Sequence, residues 1–279
     1  MPELPEVETS RLSLLPLFTG KRILSVTPLR HDLWRGSLRP AAGPFEGGPL
    51  LRHGKTLILS FLPGKGGGGS SCPFFLLSRF GMSGRWERLS PDAPRPPHTH
   101  LEIEMEDGGR LAWIDPRRFG RLEATPSPDR SLLLSGTGPD ALAIDGKILF
   151  DRLRRHAVPL RTALMDQSLL SGIGNIYMAE ILFDAGLSPF RSSHSLSRAE
   201  SLRLEISLKT LLTAAIAAGG STIHSYRKED GTPGGYQKHH AVYGREGLPC
   251  PRCGLPVQRI AANGRSLYFC TFCQPIRTP

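Results

Sequence analysis

The chain has 279 residues, with 35 lysines and arginines against 25 aspartates and glutamates, a formal net charge of +10 at pH 7. That excess favours a polyanionic partner such as nucleic acid, although charge alone also fits a merely basic, solvated surface. A hydrophobic fraction of 39% and a charged fraction of 22% describe a globular chain with room for two modest domains. No apolar run approaches the roughly 18 residues a membrane helix needs, so a membrane-spanning role is excluded.

The start, MPELPEVETS, holds three glutamates and no apolar signal core. The expected location is therefore cytoplasmic, where cysteines are reduced thiols or metal ligands. Pro5 suits a first helical turn, and Leu4, Val7, Leu14 and Leu15 form an approximate apolar stripe behind it. Strand-like runs follow at 23–26, 56–61, 73–77, 99–105 and 110–114, mostly short and separated by turn residues, the pattern of a β-sandwich. The stretch GKGGGGSSC at 64–72 reads as a flexible hairpin loop. From about Asp145 the pattern turns helical. Two helices flank a glycine turn at 171–174, and a long helix over 197–218 opens with the capping-box pair Ser197 and Glu200. Gly219 and Gly220 end it. The polar, glycine-rich segment 221–235 reads as a mobile loop.

Cys250, Cys253, Cys270 and Cys273 form C-x2-C-x16-C-x2-C, a spacing that presents four thiolates to one tetrahedral zinc. Four sulfurs leave no open position for water, so the expected metal is one structural zinc ion. The alternative, two disulfides in a secreted domain, conflicts with the cytoplasmic start. Runs at 257–260 and 266–269 read as two strands around the turn Asn263–Gly264, which places Arg265 at a hairpin tip suited to a phosphate. Cys72 reads as an incidental thiol.

Pro2 follows Met1, and removal of the initiator would leave a secondary amine at the terminus. An α-amino group titrates near 8 and a lysine near 10.4, so the terminus holds about a hundredfold more free amine at neutral pH. The positive end of the helix beginning near Pro5 lowers that pKa further. Such an amine can attack C1′ of a deoxyribose, expel the base and form an iminium ion, with Glu3 as a general acid at the ring oxygen. Taken alone, the same residues fit a plain helix start.

Motifs spread along the chain give this reading its weight. MPELPEVETS, Lys55 in HGKT, GMSG at 81–84, His98 in PHTH, DPRRFG at 115–120, GIGNIY at 172–177, VYGREG at 242–247 and the four-cysteine finger occur in that order. In this combination the chain resembles the formamidopyrimidine-DNA glycosylase family, bifunctional DNA glycosylases and abasic-site lyases, from Met1 nearly to its end. The resemblance implies an α+β fold: a catalytic β-sandwich domain with an N-terminal helix (1–135), a helix–two-turn–helix DNA-binding domain (136–240) and a zinc finger (241–279). It implies Pro2 as Schiff-base nucleophile, Glu3 as acid, Lys55 as an assistant at the lesion phosphate and in β-elimination, and Arg265 in δ-elimination. Asn175 and His98 are similar to phosphate-contacting residues. Met82, Arg117 and Phe119 resemble the trio that fills the gap left by an extruded nucleotide.

Some positions depart from the family pattern. Arg79-Phe80 stands where the family has His-Leu, Arg161 stands at a common lysine, and the 64–72 loop is long. The expected activity is excision of oxidised purines from duplex DNA with β,δ-elimination, by a monomer acting on DNA with oxidised bases or abasic sites. An endonuclease VIII-like preference for oxidised pyrimidines and a non-catalytic lesion-binding protein are the alternatives.

Overall fold

The computed structural model describes residues 2–30, 32, 34–35, 43–64, 72–223, 231–262 and 264–275. Met1, most of the 64–72 loop, 224–230 and the turn residue Asn263 lie outside them. The chain forms two compact units: Met1–Ser135 with Ala218–Gly235, and Gly136–Ala217 with Tyr236–Pro279. Among the described residues no helix is long and apolar enough to cross a membrane.

The first unit begins with α1 (Leu4–Phe18), entered from an extended Glu3 with Pro5 in its first turn. Leu4, Val7, Leu14 and Phe18 are fully buried, whereas Leu15, expected on the same stripe, faces solvent. Among the described residues nine strands follow: β1 (Arg22–Pro28), β2 (Trp34–Arg35), β3 (Phe45–His53), β4 (Thr56–Pro63), β5 (Phe74–Arg79), β6 (Arg85–Leu89), β7 (Thr99–Met105), β8 (Arg110–Ile114) and β9 (Arg121–Thr125). Their order is β2-β9-β5-β4-β3-β1-β7-β8-β6. All described pairings are antiparallel except β2 with β9.

Strands β1 and β3 pair in register at Arg22 and Ile23, so the sheet has two halves joined by a narrow seam. The halves share one core. Phe80, following β5, meets Trp113 of β8 edge-on at 5.1 Å, and the Trp86 indole of β6 donates to Ser78 Oγ of β5 at 3.1 Å. Facing halves around a common apolar interior make the expected sandwich.

Strands β2, β3, β6 and β9 were not among the runs expected from sequence. In β3, Gly47–Gly48 resembles a turn signal, but a Cβ at Gly47 would lie 2.0 Å from the Phe18 carbonyl oxygen. Gly47 admits the end of α1 against the strand, and Gly48 faces Ser60 and Leu62 of β4, at a register shift in the β3–β4 pairing.

In the second unit α2 (Gly146–Arg154), α3 (Leu160–Met165), α4 (Asn175–Asp184) and α5 (Arg198–Ala217) precede a hairpin of β10 (Gln258–Ala262) and β11 (Arg265–Phe269). The capping box at α5 forms as expected: Ser197 Oγ accepts from the Glu200 amide at 3.3 Å, and the Glu200 carboxylate accepts the Ser197 amide at 3.0 Å. Leu204, Leu208, Leu212 and Ala215 of α5 are fully buried. The described ends of the 221–235 segment are tied down, with the Gly235 amide donating to the Ala218 carbonyl at 2.9 Å and the Gly234 amide to Thr222 Oγ1 at 2.9 Å.

Candidate active site and metal centre

Pro2 and Glu3 sit together at the start of α1, both buried. The group that fixes the Glu3 backbone is Glu6, itself 1% exposed. Its Oε2 accepts the Glu3 amide at 2.7 Å and its Oε1 accepts the Ser221 amide at 2.7 Å. One buried carboxylate thus holds the candidate nucleophile's end of α1 and the entry to the 221–235 segment. Gly220 permits that approach: it has φ +77°, and a Cβ there would lie 2.9 Å from Glu6 Oε1.

Lys55 occupies the tight turn between β3 and β4, after Gly54 with φ +54°. Arg52 links that turn to α1. Its Nε donates to Glu8 Oε2 at 2.9 Å and its Nη1 to the Gly54 carbonyl at 3.0 Å. Glu8 also accepts from Arg11 at 2.7 Å. The turn bearing Lys55 is thereby braced on the helix that begins at Pro2.

Met82, Arg117 and Phe119 are brought together by two adjoining loops, all three exposed at the surface. The Arg117 guanidinium lies over the Phe119 ring, 5.1 Å from its centroid. His98 is exposed with a left-handed backbone, φ +65°, and its carbonyl accepts the Asp115 amide at 3.1 Å. A non-glycine residue there carries local strain, about 1 kcal/mol, held by its surroundings.

The departures at Arg79 and Phe80 prove to be interior. Phe80 is 1% exposed against Trp113. Arg79 donates to the Leu133 carbonyl and, at 3.4 Å, to Thr56 Oγ1. Burial draws its guanidinium below the usual arginine value, partly offset by Glu123. The Glu123 carboxylate accepts from Ser131, Leu132 and Leu133 at 2.7, 2.8 and 2.9 Å. Arg161 lies in the first turn of α3 with its Nε buried and without a hydrogen-bond partner among the described residues.

In the second unit the Sγ atoms of Cys250, Cys253, Cys270 and Cys273 all lie within 4.8 Å of one another. Cys250 and Cys273 are 3.8 Å apart, and Cys253 and Cys270 are 3.5 Å apart. A tetrahedral zinc with bonds of about 2.3 Å requires sulfur–sulfur edges of about 3.8 Å, whereas a disulfide requires about 2.05 Å. The four thiols fit zinc. Amides of Arg252 and Cys273 point at Cys250 and Cys270 sulfurs, each at 3.5 Å, as donors to thiolates.

Burial raises the Cys250 thiol, but neighbouring amides outweigh it and bring it down to about 7. Burial and then the adjacent thiols push Cys273 up to about 12. Zinc would hold all four as thiolates and pin the hairpin.

That hairpin positions two predicted residues. Asn175, the first residue of α4, donates through Nδ2 to the Ser266 carbonyl of β11 at 2.9 Å. Arg265 opens β11, exposed, with Nη1 3.7 Å from Met165 Sδ. Glu180 fixes the approach to the finger by accepting the amides of Ala241, Val242 and Tyr243 at 2.7, 3.0 and 2.7 Å. Its carboxyl is raised by burial despite those three donors.

Sequence reasoning missed the organising groups Glu6, Glu8, Arg52, Asp115 and Glu180. Only Glu6 carried a usable signal, standing three residues after the helix-entry residue Glu3 as a capping box requires.

Three family models cover most of the chain: the N-terminal domain of formamidopyrimidine-DNA glycosylase over 1–122, its H2TH domain over 136–227, and a zinc finger found in FPG and IleRS over 247–276. Together with the sandwich and the four-thiol hairpin they define a zinc-finger DNA glycosylase. The chain is 40% identical to the formamidopyrimidine-DNA glycosylase of Stenotrophomonas maltophilia, over 98% of this chain and 100% of that one. The crystal structure of the Fpg protein from Thermus thermophilus matches with a TM-score of 0.84 and 41% identity, over 98% of both chains. A Lactococcus lactis Fpg solved with DNA containing an abasic site matches with a TM-score of 0.84 and 31% identity, over 98% of this chain and 99% of that one. The chain belongs to the formamidopyrimidine-DNA glycosylase family, whose members are bifunctional glycosylases and abasic-site lyases.

Proposed function

We propose that this chain excises 8-oxoguanine and formamidopyrimidines from duplex DNA and then nicks the abasic site by β,δ-elimination. The observation that carries this reading is the full-length match to glycosylases of that name, one Lactococcus lactis relative being solved on DNA containing a Fapy-dG lesion. After loss of Met1, the Pro2 nitrogen attacks C1′, the C1′–N bond to the base breaks, and the ring oxygen is protonated by Glu3. With that protonation the C1′–O4′ bond breaks and the opened sugar is held as an iminium, which acidifies C2′, and loss of the C2′ proton expels the 3′ phosphate. A second elimination expels the 5′ phosphate, leaving a one-nucleotide gap.

In this reading Lys55 and His98 hold backbone phosphates, as does Asn175 at the N-terminus of α4, the positive end of the helix dipole. Arg265 serves the second elimination from the zinc-pinned hairpin. Met82 and Phe119 fill the space of the extruded nucleotide while Arg117 faces the orphaned base. The work divides among a catalytic domain at 1–135, a DNA-binding domain at 136–240 and a zinc finger at 241–279, in a monomer. A cytoplasmic location belongs to the same reading, supported by a cysteine set fitted to metal rather than disulfides.

Incision of defined duplexes tests it. Strong cutting of 8-oxoguanine opposite cytosine, ending in a gap with phosphates at both ends, is expected. A preference for thymine glycol would move the chain to the pyrimidine-directed alternative, and binding without nicking would make it a lesion-binding protein.

A further inference from the structure

The two loops bearing Met82, Arg117 and Phe119 converge on one buried group outside the roles given above. Asp115 is 0% exposed and Ser83 is 7% exposed, while Pro116 through Phe119 and Met82 stand at the surface. The Asp115 carboxylate accepts the Ser83 hydroxyl on Oδ1 and the Gly120 amide on Oδ2, the latter at 2.7 Å. Ser83 Oγ in turn accepts the Arg117 amide at 3.1 Å. The Asp115 carbonyl accepts the Arg118 amide at 3.2 Å and lies 2.9 Å from His100 Nε2.

The contact between the loops is as close as backbone allows. Gly81 has φ +61°, and a Cβ there would lie 2.4 Å from the Phe119 carbonyl carbon. A Cβ at Gly120 would lie 2.9 Å from Asp115 Oδ2. Exposed side chains meant to enter a base stack need a rigid root, because a misplacement of about 1 Å can cost on the order of a hundredfold in rate.

We propose that Asp115, acting through Ser83, is the positioning residue that joins the 81–84 and 115–120 loops into one rigid wedge and so sets the efficiency of base extrusion. The inference rests on the reading of Met82, Arg117 and Phe119 as the wedge. It locates the effect in extrusion, not in the chemistry at Pro2. An intact lesion base must be unstacked before excision, whereas an abasic site has no base to unstack.

The test uses the full-length zinc-loaded protein with Asp115→Asn, which turns an amide nitrogen toward one of the two donors, and with Ser83→Ala, which removes only the relay hydroxyl. Single-turnover excision of 8-oxoguanine should fall at least tenfold in each. Cleavage of a preformed abasic duplex should stay within threefold, and 2-aminopurine beside the lesion should show a weaker fluorescence rise on binding. Should Asp115→Asn fail to fold, Ser83→Ala decides. An equal fall in both reactions in folded Ser83→Ala, or no fall in either, overturns the proposal. Phe119→Ala separates the two layers. If it leaves excision unchanged, the wedge reading itself is wrong and the inference goes with it. If it lowers excision while Ser83→Ala does not, only the role of Asp115 is refuted.

Discussion

Replacing Glu6 by glutamine should disturb both stability and excision, because this side chain, 1% exposed, is bound to two amides far apart in sequence. Glutamine conserves the volume but keeps only one carbonyl oxygen. Whichever way it turns, either the Glu3 or the Ser221 amide, each now 2.7 Å from a carboxylate oxygen, faces an NH2 group. The loss is one charge-assisted hydrogen bond plus the desolvation of a stranded buried N–H, together about 2–4 kcal/mol. For a unit of this size that corresponds to a fall in Tm of roughly 4–16 °C, within a total stability of about 5–15 kcal/mol, so the variant still folds. Thermal and urea denaturation followed by circular dichroism measure the first effect. Single-turnover excision on the folded variant measures the second, where release of the Glu3 amide should lower the rate by more than tenfold. A stability change below about 0.5 kcal/mol with unchanged excision would show that Glu6 does not carry these amides.

Chelating the metal, or Cys270→Ser, should remove one zinc per chain and abolish strand cleavage while leaving the β-sandwich spectrum intact; retained cleavage without metal would contradict the hairpin's role. Because the ligands bind as thiolates, zinc release followed by a colorimetric chelator should increase as pH falls. Asn175→Ala frees the Ser266 carbonyl it holds at 2.9 Å and should weaken lesion-duplex binding about tenfold in a salt-dependent manner, read by fluorescence anisotropy. Glu200 is held at about 2 by the Arg191 guanidinium, which donates to both carboxylate oxygens at 2.6 and 2.9 Å. Its depressed pKa makes its contribution complete above the ordinary value of 4.5 and lost as pH falls toward 2. Glu200→Gln should therefore destabilise by roughly 2 kcal/mol near neutrality, with the gap to the parent closing between those two values in pH-dependent denaturation.

The four-cysteine cluster, its hairpin and the start of α5 were legible because their signals are local. The cysteine spacing, the turn before Arg265 and the capping box at Ser197 each lie within a short stretch of chain. The groups that hold them in place were not. Glu6 reaches an amide 215 positions away and Glu180 reaches amides 61 to 63 positions away, and no pattern in one sequence reports such pairings. Strand β3 was hidden for a related reason, since Gly47 serves the approach of Phe18 and not a turn. Strand β9 was hidden because it carries a buried glutamate, and Glu123 is held there by the Ser131 hydroxyl and the amides of Leu132 and Leu133. At the departure Arg79-Phe80, the arginine is half-buried and the phenylalanine is in the core, each with its own partners.

The most direct measurement is reductive capture on an 8-oxoguanine duplex with borohydride, followed by peptide mapping of the adduct. A single cross-link at the nitrogen of Pro2, abolished when Met1 is retained, is the predicted result. A cross-link on Lys55 or any other internal lysine would contradict the account.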